Sequence, residues 1–203
     1  MCIRDRDFIR SLKHRPFWVM EQQSAITGWE TVGRTPKPGQ LGLWAMQSIA
    51  HGADTIVFFR WRSCVMGTEQ YWHGILPHNG RPGRYYRELK AFMQEAGPLL
   101  ERLQGSVPHP EVAMLFSYDQ YDALSIQPHH PHLQYPEHLL TYYSGFYRQK
   151  IPVEFVREED DWSSYRVLVA PLQFLMTEKL SEQFHAYVQQ GGVLILDMRS
   201  GVK

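Results

Sequence analysis

The amino-acid sequence predicts an α/β fold with parallel strands, and three features support this prediction. Two short apolar runs, residues 16–20 and 55–61, are typical of strands that are buried on both faces. A segment with helical periodicity, residues 39–51, lies between them, so that strand, helix and strand form a βαβ unit. After residue 111 strands and helices continue to alternate, which predicts a second, doubly wound α/β layer.

The helix between the two apolar runs is indicated by its spacing and by its end. Trp44 and Ile49 fall near helical spacing, and Gly52 suits the position just past the last turn. The run 55–61, TIVFFRW, is β-branched and aromatic, as strands commonly are. A long loop then leads to a second helix, which we expect Pro98 to kink or split.

A change of composition divides the chain into two domains. The stretch QGSVPHP, residues 104–110, is typical of a linker, and it separates residues 7–106 from residues 107–203.

Residues 1–6, MCIRDR, fit neither a helix nor a strand pattern, and we interpret them as a non-native scar. No closing helix follows the last strand, so the second domain is expected to be truncated. That domain is predicted to contain strands at 112–117, 153–156, 166–171 and 193–197 and helices at 136–149 and 177–190.

The composition excludes several classes of partner. Twenty-one basic and twenty-one acidic residues give a formal net charge of zero, and no basic stripe is present to neutralise phosphates or anionic lipid. We therefore expect neither a nucleic acid nor a membrane partner. The sequence has no apolar run of ~20 residues and no signal-peptide pattern, which predicts a cytoplasmic location. Cys2 and Cys64 are the only cysteines, so no disulfide framework is expected.

No metal and no other cofactor is expected. The histidines at 129, 130 and 132 have no acidic or cysteine companion at ligand spacing, so they are interpreted as a surface loop. The acidic run 158–161 lacks the spaced ligands and central glycine of a calcium loop. Amidotransferase chemistry would need a nucleophilic cysteine at a strand-to-helix turn, and no cysteine follows Cys64.

Glu21 is the first candidate site residue, because it ends the apolar run in PFWVMEQQ. In parallel β/α architectures the active site lies at the carboxyl ends of the strands, so a carboxylate at that place points into a pocket. The alternative is that Glu21 merely begins a surface loop. Trp29, eight residues further on, favours the site, because an indole can stack on the apolar face of a sugar ring.

Polar groups also follow the second strand. Arg60 and Arg62 bracket Trp61, and an arginine at a pocket rim can keep a carboxylate ionised or hold ligand hydroxyls. Solvated arginines that pair with local acids are an equally good interpretation. The loop 67–80, GTEQYWHGILPHNG, mixes hydrogen-bonding groups with stacking surfaces. Carbohydrate sites need that mixture, because a sugar offers hydroxyls at its edge and C–H groups on its face.

Together, PFWVMEQQ, Trp29, HGADTIVFFRWR and GTEQYWHGIL resemble the C-terminal part of the catalytic barrel of glycoside hydrolase family 42, the β-galactosidases. The resemblance runs from Pro16 to the end of the chain. It implies the C-terminal part of a (β/α)8 TIM barrel, followed by an incomplete glutamine-amidotransferase-like, flavodoxin-like α/β domain. In the family that second domain packs subunits into a homotrimer.

The resemblance also implies a retaining β-galactosidase that hydrolyses terminal non-reducing β-D-galactosyl residues with two carboxylates about 5 to 5.5 Å apart. Glu21 would be the nucleophile, and Trp29 and Glu69 would bind the substrate, with Arg60 as a further candidate. The family's histidine stands where this chain has Trp72, so either His73 or Trp72 would take its role. The acid/base glutamate would lie upstream of residue 1, and the chain alone is expected to be inactive.

Two other functions stay open. The chain could belong to a non-catalytic sugar-binding or assembly module in which Glu21 is only a ligand contact. It could also belong to a related hydrolase of β-galactosides or α-L-arabinosides, because the pocket chemistry is the same.

Overall fold

The computed structural model describes residues 3–27 and 33–203, and its strands are parallel, as the sequence predicts. The helices are α1 (Ile3–Ser11), α2 (Gln40–Ala50), α3 (Arg84–Leu103), α4 (Tyr118–Ile126), α5 (Tyr135–Arg148) and α6 (Glu178–Gln189). The strands are β1 (Phe17–Gln23), β2 (Ala53–Phe59), β3 (Val112–Leu115), β4 (Val153–Val156), β5 (Val167–Ala170) and β6 (Val193–Leu196). One compact unit combines the segment up to His14 with Pro108–Lys203, and the other is Arg15–Val107.

In the unit Arg15–Val107, β1 and β2 pair in parallel with α2 as their crossover, which confirms the predicted βαβ order. Leu41 and Ala45, one turn apart on α2, are buried where this helix packs against β2 and α3. The approach of α2 to α3 is close. A Cβ atom on Gly42 would lie 2.8 Å from the ring of Phe92, so only glycine leaves room for that ring.

The first strand is less buried than the sequence predicts. Val19 is buried, but Trp18 and Met20 are 60% and 64% exposed. The expectation of burial on both faces is wrong for the described residues, because β1 pairs with β2 alone and a two-stranded sheet cannot enclose both of its faces.

Helix α3 continues through Pro98, so of the two expected effects of this proline the split does not occur, and the kink stays a prediction. A proline inside a helix removes one backbone hydrogen bond and leaves the carbonyl four residues earlier without its donor. That carbonyl belongs to Gln94, which is exposed, so water can take the place of the missing donor.

The other unit is built on a four-stranded parallel sheet in the order β4-β3-β5-β6. Numbered along the chain this order is 2-1-3-4, which is the flavodoxin-like arrangement. Side chains alternate between two helical layers: Met114 packs with α4 and α5, whereas Leu115 packs with α6. The two central strands, β3 and β5, are therefore covered on both faces and read as continuous apolar runs, whereas Val193 and Leu196 of the edge strand β6 are 54% and 42% exposed.

Helix α1 is an element that the sequence does not predict. Residues 1–6 are expected to fit no helix pattern, and this is wrong from Ile3 onward. The ring of Phe8 packs edge-on against Phe116 and Phe155, with centroids 5.1 and 5.3 Å away. The pattern is hidden because the buried face of α1 also carries Asp7, Arg10 and Ser11, which supply no apolar periodicity. The interpretation of residues 1–6 as a scar stays a prediction.

Helix α4 is also missing from the sequence-based assignment. Its buried residues are Gln120 and Leu124, so half of its inward face is polar. The Gln120 side chain donates to the carbonyl of Leu175 and accepts from the Leu175 amide, at 2.9 Å each. This pair of bonds ties α4 to the loop after β5.

Two kinds of feature are absent from residues 3–27 and 33–203. Among these residues no helix is long and apolar enough to cross a membrane. No group of three histidine, cysteine or acidic side chains among them is suited to a metal ion.

Candidate active site

Glu21 lies inside β1, near its carboxyl end, and not just after the strand as expected. The pairing with β2 is irregular at this point: Val19 is opposite Ile56 and Gln22 is opposite Phe58. Two residues of β1, Met20 and Glu21, therefore face the single residue Val57, which is a β-bulge. Bulges re-aim side chains and are common next to active sites. The bulge distinguishes Glu21 from an ordinary strand residue.

The Glu21 side chain is exposed. Among the described residues no hydrogen bond or ion pair to its carboxylate is seen. The side-chain amide of Gln23 donates to the backbone carbonyl of Ala25 at 2.6 Å, so it bonds within its own chain segment. The carboxylate is therefore open to a ligand that approaches the carboxyl end of β1.

Arg60 follows β2 directly, and its guanidinium Nη1 donates to Oε2 of Glu69 at 2.9 Å. The same guanidinium lies 5.1 Å from the ring centroid of Phe59, and the Phe59–Arg60 peptide bond is cis. Glu69 remains 52% exposed, so one face of its carboxylate is free for ligand hydroxyls. The structure thus joins two of the predicted substrate-binding residues in one ion pair.

The loop that carries Glu69 and His73 is bound by backbone hydrogen bonds to the ends of both strands. The amides of Ile75 and Leu76 donate to the carbonyls of Arg60 and Trp61, at 2.8 Å each. The His73 amide donates to the carbonyl of Ile26, after β1, at 3.1 Å. Since the loop is held from two sides, its backbone is positioned relative to both strands.

Gly74 lies where this loop meets the segment after β2. A Cβ atom there would be 2.7 Å from the carbonyl oxygen of Arg60 and 2.7 to 2.8 Å from the backbone of Arg62. Backbone atoms cannot move away as a flexible side chain can, so the loop itself would have to shift.

We therefore expect Gly74→Ala to lower stability by about 1 to 3 kcal/mol, the usual cost of overpacking. It should also displace Glu69, because the same loop carries that residue. Gly145→Ala on α5 is the matched control, since nothing lies within 4 Å of a Cβ atom at that exposed helical glycine. The control should raise stability slightly, as alanine does in a helix. Urea unfolding of both variants tests this, and equal free energies of unfolding for the two would contradict it.

Trp72 and His73, the two candidates for the role of the family's histidine, have different surroundings in the structure. The Trp72 ring packs edge-on against Phe59, with centroids 5.7 Å apart, which is a packing contact. The His73 ring lies edge-on to that of His78, with centroids 4.9 Å apart. His78 is fixed in turn, because its Nε2–H donates to the carbonyl of Gln70 at 2.8 Å. His73 therefore has polar surroundings and Trp72 an aromatic partner, and the choice stays a prediction.

Burial lowers the pKa of His73 below its ordinary value, and the positive charge of neighbouring His78 lowers it further. The folded state therefore binds fewer protons at His73 than the unfolded chain does. By linkage, the contribution of neutral His73 to stability is present above the ordinary histidine pKa of about 6.5. It is lost as the pH falls below that value toward the lowered one.

Replacing His78 by Asn should raise the pKa of His73, because the neighbouring charge is removed while the burial stays. The pKa should still remain below the ordinary value, since burial is the larger cause. Diethyl pyrocarbonate reacts with neutral imidazole, so its rate of reaction at His73 against pH, followed by peptide mass spectrometry, measures the midpoint. An unchanged or lower midpoint in His78→Asn would contradict this account.

The remaining predicted residue, Trp29, lies outside the described residues. Two residues that sequence analysis does not single out also belong to this region: Ser24 and Ser63 are buried. The Ser63 hydroxyl accepts from the Gly74 amide at 2.9 Å. Serine in a loop is too common to stand out in a single sequence, so only the structure reveals these contacts.

Two family models match the chain in succession. The model described as β-galactosidase matches residues 2–98, and the model described as β-galactosidase trimerisation domain matches residues 110–203. The chain belongs to glycoside hydrolase family 42. The predicted fold class is confirmed for this family 42 chain, because its structural neighbours have a TIM-barrel catalytic domain followed by a trimerisation domain. The match to the catalytic domain includes α1, although α1 packs in the same unit as the trimerisation match.

Individual relatives of this family 42 chain support the same family membership. It is 35% identical over 198 residues to the β-galactosidase BgaA of Clostridium cellulovorans, covering 97% of this chain and 30% of the relative. The crystal structure of a β-galactosidase from Bacillus circulans sp. alkalophilus superimposes with a TM-score of 0.87 at 29% identity, over 98% of this chain and 30% of that one. The β-galactosidase of Halorubrum lacusprofundi gives 0.84 at 37% identity, over 99% and 30%. The family 42 chain thus spans about 30% of the length of these relatives.

Proposed function

We propose that this chain supplies the nucleophile and part of the sugar pocket of a retaining β-galactosidase. The observation that carries the proposal is the β-bulge at Glu21, which lies at the carboxyl end of a strand whose parallel neighbour ends in the Arg60–Glu69 pair. In parallel β/α folds such strand ends carry the catalytic groups. The relatives named above support the substrate class, since each is named a β-galactosidase.

In this mechanism an ionised Glu21 attacks the anomeric carbon of the galactosyl unit. A bond forms between a Glu21 oxygen and that carbon, while the bond to the leaving oxygen breaks and the leaving oxygen takes a proton from the acid/base carboxylic acid. Water, deprotonated by the same acid/base group, then opens the glycosyl-enzyme and releases galactose with retained configuration. The acid/base glutamate is proposed to lie upstream of residue 1.

Sugar recognition is assigned to Glu69, His73 or Trp72, and Trp29. An exposed carboxylate accepts from two adjacent hydroxyls, and Arg60 fixes the orientation of the Glu69 carboxylate through its 2.9 Å bond. An indole ring stacks on the C–H face of galactose.

The experiment needs a protein of the relatives' length. We use the term full-length test enzyme for the longer product of the gene that carries these residues. If the gene ends where they do, the test enzyme is BgaA of Clostridium cellulovorans with its matching segment replaced by this chain. Aryl β-D-galactosides and aryl α-L-arabinosides are offered in parallel, and the configuration of the first-formed sugar is read by proton NMR.

Preferred turnover of the galactoside with first-formed β-galactose supports the proposal. First-formed α-galactose would contradict the retaining mechanism. Faster turnover of the arabinoside would favour the related arabinosidase. Galactose binding without turnover in the longer gene product would favour the non-catalytic sugar-binding or assembly module.

We also propose that the full-length protein is a homotrimer in the cytoplasm and that its domains divide near residue 107. The match of residues 110–203 to the trimerisation domain supports the trimer. Light scattering of the full-length test enzyme measures its mass, and a monomer at micromolar concentration would contradict this assembly.

A further inference from the structure

Ser24 is fully buried three residues after Glu21, and its hydroxyl faces three backbone carbonyls. The hydroxyl donates to the carbonyl of Phe59 at 2.7 Å. The carbonyls of Arg60 and His73 lie 3.4 and 3.3 Å from the same oxygen. A hydroxyl carries one hydrogen, so the short bond to Phe59 dominates and the other two carbonyls share the donor weakly.

These three carbonyls come from different parts of the candidate site. Phe59 and Arg60 mark the end of β2, and His73 lies in the loop 67–80. Ser24 itself lies directly after β1, the strand that carries Glu21. One hydroxyl therefore connects the end of the Glu21 strand with Arg60, which pairs with Glu69, and with His73.

From this geometry we propose that Ser24 is a positioning residue for the active site. This inference rests on the proposed function of Glu21, Arg60, Glu69 and His73. Ser24 does not touch the substrate, because no part of it is exposed. It acts by holding the sugar-binding groups at a fixed distance from the nucleophile, and a displacement of about 1 Å between such groups can cost about a hundredfold in rate.

The test compares Ser24→Ala with Ser48→Ala in the full-length test enzyme. Ser48 is also fully buried in the same unit, but its hydroxyl donates within its own helix, to the carbonyl of Trp44 at 3.1 Å. Both variants lose one buried hydroxyl, but the Trp44 carbonyl keeps its helical donor, so Ser24→Ala should lose more stability than Ser48→Ala. We measure kcat, KM, the inhibition constant of galactose and the melting temperature, with activity normalised to the protein in the folded size-exclusion peak.

We expect kcat/KM of Ser24→Ala to fall by about 10- to 100-fold, with a higher KM and weaker inhibition by galactose. Ser48→Ala should keep kcat and KM within about twofold of the parent. Ser24→Cys, whose S–H is a weak donor of similar shape, should recover part of the loss. This variant also serves as the second measurement if the alanine variant does not fold.

Equal kinetics for Ser24→Ala and Ser48→Ala would overturn the positioning role, as would a cysteine variant no better than alanine. A parent enzyme without galactosidase turnover would instead overturn the proposed function, because that result does not depend on any change at Ser24. The two failures are therefore distinguishable.

Discussion

Replacing Glu21 by Gln in the full-length test enzyme is expected to lower kcat by at least about a thousandfold. The amide is nearly the same size as the carboxylate but cannot form the glycosyl ester, so chemistry is lost while the pocket keeps its shape. Affinity for galactose, measured by calorimetry, should stay within about threefold of the parent. A loss of kcat without a loss of binding is what separates a nucleophile from a ligand contact.

Glu95→Gln is the matched control, because Glu95 is an exposed glutamate on α3 of the same unit. It undergoes the same change of charge and shape, and its kcat should be unaltered. If Glu21→Gln keeps more than about a tenth of the parent turnover, the nucleophile assignment is wrong.

Added azide gives a second test of the role of Glu21, which depends on a gain of product and not on a loss of turnover. In Glu21→Gly the space of the carboxylate is open, so azide can attack the anomeric carbon from that side and give α-galactosyl azide. If Glu21 were instead the acid/base group, the glycosyl-enzyme would still form and azide would give the β product. The configuration of the azide product, read by proton NMR, therefore identifies the role of Glu21.

The unit that contains Pro108–Lys203 is the part of the fold that the sequence predicts best. Its two central strands, β3 and β5, are covered on both faces and appear as short apolar runs, and the predicted strand 153–156 has the limits of β4. Helices α5 and α6 also follow their prediction, because each buries an apolar stripe. Helices α1 and α4 are missed for the converse reason, since polar side chains such as Arg10 and Gln120 occupy their buried faces.

The candidate site could be predicted only at the level of residue types and strand ends. PFWVMEQQ indicates that Glu21 is near a strand end, but a β-bulge depends on pairing with a partner strand 30 or more residues away, which a local pattern does not record. The Arg60–Glu69 bond and the contacts of Ser24 likewise depend on how loops close. A pair of opposite charges nine residues apart does not reveal whether the two meet.

A large effect on stability is expected at Arg10. Its guanidinium donates to Oε2 of Glu154 at 2.7 Å and to the carbonyl of Val153 at 3.2 Å, and both charged side chains are nearly buried, at 5% and 6% exposed. Arg10→Met removes the cation but leaves the carboxylate inside, and a buried charge that loses its partner typically costs about 3 to 5 kcal/mol. His14 lies 3.1 Å from the other Glu154 oxygen and offsets part of the loss, so the lower end is expected.

Hydrogen exchange locates this effect. The Ser11 hydroxyl accepts from the Phe155 amide at 2.9 Å, so that amide is protected only while α1 is docked on β4. A loss of about 3 kcal/mol should speed exchange of the Phe155 amide and of the α1 amides by roughly a hundredfold or more. Peptides of α6 should change less, because α6 packs on the other face of the sheet.

Arg166→Met is the matched control, because Arg166 also pairs with a glutamate in the same unit. Its partner Glu111 is 3.2 Å away, but the two side chains are 77% and 68% exposed, so water replaces the lost contact. The expected cost is about 0 to 1 kcal/mol. If both variants have the same exchange rates, the Arg10–Glu154 pair does not hold α1 in place. The apolar contact of Phe8 with Phe116 and Phe155 would then be the main attachment of α1, and Phe8→Ala, not Arg10→Met, would release it.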